Sequence, residues 1–198
     1  MESLQRWAQP WWVNLLIFIP VLAFWRFRRK PIELSGGRLS TLAAFALAFG
    51  FVEAAVVVYL RAAAGLLPGY YGTLAEVQRA RLGYTQADTV TKFPQSLLSI
   101  EMFREAATMV MLATVACLSA SRARNRWAAF LWTFAVWDIA YYAGLWATLR
   151  WPASLGDADV LFLIPTPWFA PVWFPLLVST LTAAVILASR NSVTPARP

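Results

Sequence analysis

The chain has 198 residues, of which 60% are hydrophobic and 14% charged, where an average soluble domain carries about 25% charge. A mean hydropathy of +0.56 predicts an integral membrane protein forming a single transmembrane domain over 1–198, not a soluble domain with one anchor. The formal net charge is +7 and histidine is absent. That absence excludes histidine-ligated haem, histidine-based zinc or copper sites, and histidine acid–base chemistry. The basic residues gather at helix ends with no aromatic-interleaved stripe, so the expected partner is the lipid bilayer and not nucleic acid.

Spanning the hydrocarbon core takes about 20 apolar residues in a helix. The first stretch that qualifies is about 10–27. It carries Pro20, and Arg26, Arg28, Arg29 and Lys30 follow it, which marks a retained span and not a cleaved signal. Three further stretches cover about 40–64, 97–120 and 126–149. Between the second and third lies a loop, 65–95, in which Leu74, Val77, Gln78, Arg81 and Leu82 predict a short amphipathic helix on the membrane surface. The last apolar region holds Pro165, Pro167, Pro171 and Pro175. Proline interrupts helices, so about 160–169 is expected to be a re-entrant or interfacial piece, with a fifth span over about 171–189. The tail Asn191–Pro198 reads as disordered. The expected fold is thus an all-α bundle of five transmembrane helices with a proline-broken outer segment before the last span.

Arginine placement predicts the orientation. Arg26 to Arg38, Arg122 to Arg126, and Arg190 with Arg197 fall on one side of an alternating topology. The positive-inside rule makes that side cytoplasmic in a bacterial-type inner (plasma) membrane, with the N-terminus outside. Eleven tryptophans are present. Trp7, Trp11, Trp12, Trp25, Trp127, Trp146, Trp151 and Trp168 fall near expected helix ends, as an interfacial belt would. Cys117 is the single cysteine and cannot form an intrachain disulfide.

The informative residues are the ionisable ones inside the spans: Glu53, Glu101, Arg104, Glu105 and Asp138. Such groups cost roughly 2.5–3.5 kcal/mol each on insertion scales, so they face a bundle interior or a wet cavity and mark function. Glu101, Arg104, Glu105 and Thr108 share one helical face, and Asp138, Tyr141 and Tyr142 share another. With Arg61 at the outer end of the second span, these groups converge in the outer half of the bundle. Glu53, Glu101, Glu105 and Asp138 are the candidate catalytic residues and candidate metal ligands. Arg104, Arg61, Thr108, Tyr141 and Tyr142 are the candidate ligand-binding residues.

Three readings follow from these residue types. Carboxylates, hydroxyls and carbonyls suit a divalent cation, and intramembrane acids suit a proton relay, giving cation or proton-coupled transport. A membrane enzyme could instead act on a lipidic substrate by carboxylate acid–base or metal-assisted chemistry. The network could also be purely structural, in an accessory subunit of a membrane complex. Five spans are few for a transporter acting alone, so a homo-oligomer or further subunits are expected.

Overall fold

The structure is a computed structural model and describes residues 7–63 and 94–190. The amphipathic helix expected over Leu74 to Leu82 and the tail Asn191–Pro198 lie outside the described residues. The chain is mostly helical. Four helices are long and apolar enough to cross a membrane: Trp11–Arg28, Gly36–Ala62, Gln95–Ser119 and Ala123–Leu149. The first begins as a 3-10 helix over Trp11–Phe18 and continues as α1, Ile19–Arg28. Pro20 falls in the first turn of α1, where no N–H is needed. Next come α2 (Gly36–Ala63), α3 (Gln95–Ser119) and α4 (Ala123–Leu149). The expected fifth span is a shorter apolar helix, α5 (Trp173–Ala188). Its 16 residues rise about 24 Å, less than the roughly 30 Å of a hydrocarbon core.

The all-α expectation fails at one place. The proline-broken segment forms an antiparallel hairpin of β1 (Ala158–Phe162) and β2 (Trp168–Pro171), with Asp159 opposite Ala170 and Val160 opposite Phe169. The cause is local. Pro165, Pro167 and Pro171 lack the N–H a helix requires, while Val160, Leu161, Phe162, Trp168 and Phe169 are of types that pack well on a pleated surface.

The hairpin runs down the inside of the bundle. At its start, the Tyr142 hydroxyl donates to Asp159 Oδ2 at 2.6 Å. At its far end, the Phe162 ring stacks on Phe134, two turns and about 12 Å deeper along α4. Non-helical backbone at that depth must be satisfied by protein or by a water-lined cavity. Here it is. Gln9 and Phe169 exchange two backbone hydrogen bonds, at 2.7 and 2.8 Å, closing the outer edge of β2. Glu105 Oε2 accepts the Leu163 N–H at 2.8 Å. The tip, Ile164-Pro165-Thr166-Pro167, has two positions with no N–H to satisfy.

Helix α4 is the centre of the bundle and packs against α2, α3 and α5. Its contact with α2 is set by small residues. A Cβ on Gly50 would lie 2.7 Å from the Trp137 carbonyl oxygen and 2.8 Å from Ala140 Cβ. A Cβ on Gly144 would lie 2.8 Å from Ala54 Cβ. Close approach at small residues is how membrane helices gain dispersion contacts without a hydrophobic driving force. The α1 helix packs on α5. By contrast, α3 packs its backbone closely on α4 alone among the described helices and shows lipid-type side chains such as Phe103 and Leu118 outward.

The basic clusters meet at one end of the bundle. Arg122 pairs with Glu33, Arg124 donates to the Phe27 carbonyl at 3.1 Å, and the Ile32 N–H donates to the Ser189 carbonyl at 2.9 Å. The hairpin start and Gln9 mark the opposite end. Trp7, Trp11, Trp25, Trp127 and Trp146 are exposed, as an interfacial belt requires. Trp12, Trp151 and Trp168 depart from that expectation. Trp12 packs edge-on against Trp168, and Trp151 is buried beside Tyr142.

A helix glycine replaced by alanine usually gains about 0.5–1 kcal/mol. At Gly50 the sign should reverse, because the new methyl meets backbone that cannot yield. Gly50→Ala should lower the melting temperature, with a loss of roughly 1–3 kcal/mol typical of overpacking. Gly37→Ala, whose Cβ would meet nothing within 4 Å, should leave it unchanged or raise it. Thermal unfolding of both variants in one detergent checks this.

Candidate functional site

All five helices and the hairpin line a cavity of about 630 Å³. Its wall is mainly apolar and aromatic, with contributions from Leu16 and Ile19 of the first span, Phe134 and Trp137 of α4, and Phe162 of β1. Every residue singled out in the sequence lies on this wall: Glu53, Arg61, Glu101, Arg104, Glu105, Thr108, Asp138, Tyr141 and Tyr142. Helical spacing explains the convergence. Glu101, Arg104, Glu105 and Thr108 recur at three and four residues, so one face of α3 carries them all inward.

The geometry divides them into three groups. In the first, Arg104 bridges α2 and α3. Its Nη1 pairs with Glu53 Oε2, while Nε and Nη2 donate to Glu101 Oε2 at 2.9 and 2.7 Å. The other oxygen of Glu53, Oε1, accepts from Thr108 Oγ1 at 2.9 Å. Glu53 and Glu101 are 5% and 7% exposed and Arg104 is partly exposed, so this is a mostly buried ion triad on the cavity wall. Buried charges persist when paired and hydrogen-bonded, as these are.

The second group serves the hairpin. Glu105 accepts from the Leu163 backbone, and Asp159 accepts from both Tyr142 and the Val160 N–H, the latter at 2.8 Å. Arg61 was expected at the outer edge of its span. It is buried on the cavity wall, near the charges of Asp159 and Glu101. The third group joins α4 to α5, where Ser179 Oγ donates to Asp138 Oδ2 at 2.7 Å.

This division bears on the expected metal set. Among the described residues no three acidic, cysteine or histidine side chains are arranged to hold one ion. Glu53 and Glu101 turn to Arg104, Glu105 to the hairpin and Asp138 to Ser179. They share a cavity without sharing a coordination point. Two participants were not picked out in the sequence. Asp159 precedes the proline-broken run and gains its partner only when the hairpin folds back along α4. Ser179 sits in an apolar helix where a lone hydroxyl carries no pattern.

Removing Arg104 leaves two buried carboxylates without their cation, a loss of roughly 3–5 kcal/mol in comparable soluble sites. Arg104→Ala should therefore lower the melting temperature strongly. Arg122→Ala removes an ion pair whose side chains are 68% and 57% exposed, worth roughly 0–1 kcal/mol. Adding Glu53→Gln and Glu101→Gln to Arg104→Ala should recover much of the stability. Calorimetric melting of the four proteins measures the difference.

Comparison with protein-family models, with curated proteins and with solved structures finds no match to this chain, so its chemistry is read from its own geometry.

Proposed function

We propose that this is a multi-pass inner-membrane protein that binds an amphiphilic, lipid-class molecule within the bundle. The observation that carries the reading is the cavity itself. At about 630 Å³ it falls in the range of small-molecule sites, roughly 300–1,000 Å³, and exceeds what one ion and its first shell fill. Its apolar walls suit a chain, and the buried carboxylate–arginine group suits a polar end. The position of α3 supports access from the bilayer. This helix packs closely on α4 alone among the described helices, and the cavity wall runs from its Leu98 and Met109 to Leu16 and Ile19 of the first span. The separation of the four acids into distinct partnerships weighs against a bare cation as the occupant.

In this proposal the N-terminus lies outside, the C-terminus lies in the cytoplasm, and the hairpin end faces outward. The gathering of Arg26 to Lys30, Arg122 to Arg126 and Arg190 at the opposite end supports that sidedness.

Two measurements test it. In a Cys117→Ala background, Ser154→Cys at the hairpin end should react with an impermeant thiol reagent in intact cells, and Ser121→Cys should not. Both positions are exposed, so reversed labelling would overturn the orientation. Mass spectrometry of the purified protein should find a co-purifying amphiphile. Val178→Trp, which pushes an indole into the cavity from α5, should remove it without lowering the melting temperature. An identical lipid content in the filled variant would refute the reading.

A further inference from the structure

The basic end of the bundle holds more positive charge than its own acids can meet. Arg26, Arg28, Arg29 and Lys30 close the first span, all four exposed, and Arg122, Arg124 and Arg126 surround the start of α4. Among the described residues Glu33 is the one carboxylate at this end, and it pairs with Arg122. The fold draws part of the surplus together. Arg124 Nη2 donates to the Phe27 carbonyl at 3.1 Å, and its Cζ lies 5.5 Å from the Phe27 ring centroid. That contact seats the first turn of α4 on the last turn of α1. Arg26 is then near enough to repel the Arg124 guanidinium, more strongly than Glu33 attracts it. Arg126 is used elsewhere, its Nε donating to the Ala120 carbonyl at 2.8 Å. Like charges brought together cost stability, and an anion between them turns that cost into attraction.

The surroundings say which anion. Trp25 and Trp127, one on each of the two helix ends, are 56% and 62% exposed, as indoles at headgroup level are. The Arg28 guanidinium lies 4.3 Å over the Trp25 ring, which holds a further cation at that level. Leu22 and Phe24 are exposed along the same span, on the side of the tryptophan where acyl chains lie. A phosphate carried on a lipid is delivered to this depth by its own chains.

We propose that the last turn of α1 and the first turn of α4 form a site for the phosphate of an anionic phospholipid, with Arg26 and Arg124 as its two principal ligands. Arginine suits the role because its planar donor fork matches phosphate oxygens. The site lies at the opposite end of the bundle from the hairpin and does not depend on what fills the cavity.

The test compares the full chain in nanodiscs of phosphatidylcholine with the same discs containing phosphatidylglycerol. Both lipids carry a phosphate, but the choline cation neutralises the first. Native mass spectrometry and the melting temperature read out binding. Phosphatidylglycerol should raise the melting temperature and be retained at least about tenfold over phosphatidylcholine, as two arginines at an anionic headgroup imply. Arg26→Gln should lose most of both effects. In phosphatidylcholine alone the same variant should melt no lower than the wild type, because the repulsion on Arg124 is relieved. A merely structural arginine would lower it, and that result counts against the site. Arg38→Gln removes an equal charge from an exposed position on α2 at the same end and should keep both effects. Equal losses in Arg26→Gln and Arg38→Gln would mean diffuse surface charge and overturn the site. So would a melting temperature that ignores phosphatidylglycerol. If inorganic phosphate added to phosphatidylcholine discs gives the same rise, the lipid is overturned as the ligand.

Discussion

Backbone N–H and C=O groups at membrane depth have no water to bond, and a β-hairpin there exposes two edges that must be closed. Most of the internal architecture follows from meeting that demand. The outer edge of β2 pairs with Gln9, which fixes where the chain must pass before it turns into the first helix. The far end of β1 hands the Leu163 N–H to a carboxylate on α3, which fixes the rotation of that helix about its own axis. Once Glu105 faces the hairpin, Glu101, Arg104 and Thr108 face inward by helical spacing alone, and the contact with Glu53 on α2 follows.

The carboxylates thus have two kinds of work within one cavity. Glu105 and Asp159 complete the hairpin's hydrogen bonding, and Glu53 is consumed by Arg104 and Thr108. Glu101 and Asp138 line the cavity while bonded to Arg104 and Ser179. A buried acid is commonly read either as structural or as functional. Glu105 holds hairpin backbone and also lines the cavity.

Much of this was legible in the sequence. The four long spans follow from apolar run length, and the inward stripe on α3 follows from residues three and four apart. The end at which the arginines meet follows from alternation. What the sequence withheld was tertiary. The run Val160 to Ile164 is apolar and interrupted by proline, a pattern shared by interfacial coils, re-entrant loops and strands, and nothing in it names Gln9 as the pairing partner. The pairing of Ser179 with Asp138 needs the seat of α5 on α4, which no spacing rule supplies. Its position in the sequence puts Arg61 at the outer end of its span, as a candidate ligand-binding residue, without saying what it packs against. In the fold it is buried and lines the cavity together with Asp159 of the hairpin.

The two seams of this bundle, α2 on α4 and α3 on α2, are held by different forces. Gly50, Ala54, Ala140 and Gly144 fasten α2 to α4 by dispersion, which is short-ranged and indifferent to what fills the cavity. Arg104 fastens α3 across that cavity by charge, and charge is sensitive to its medium. With water inside, the attraction of Arg104 for Glu53 and Glu101 is screened. A guest that expels the water lowers the local dielectric and strengthens the same pairs without touching them. On the proposed binding, occupancy would tighten one helix, while the small-residue seam beside it would stay indifferent.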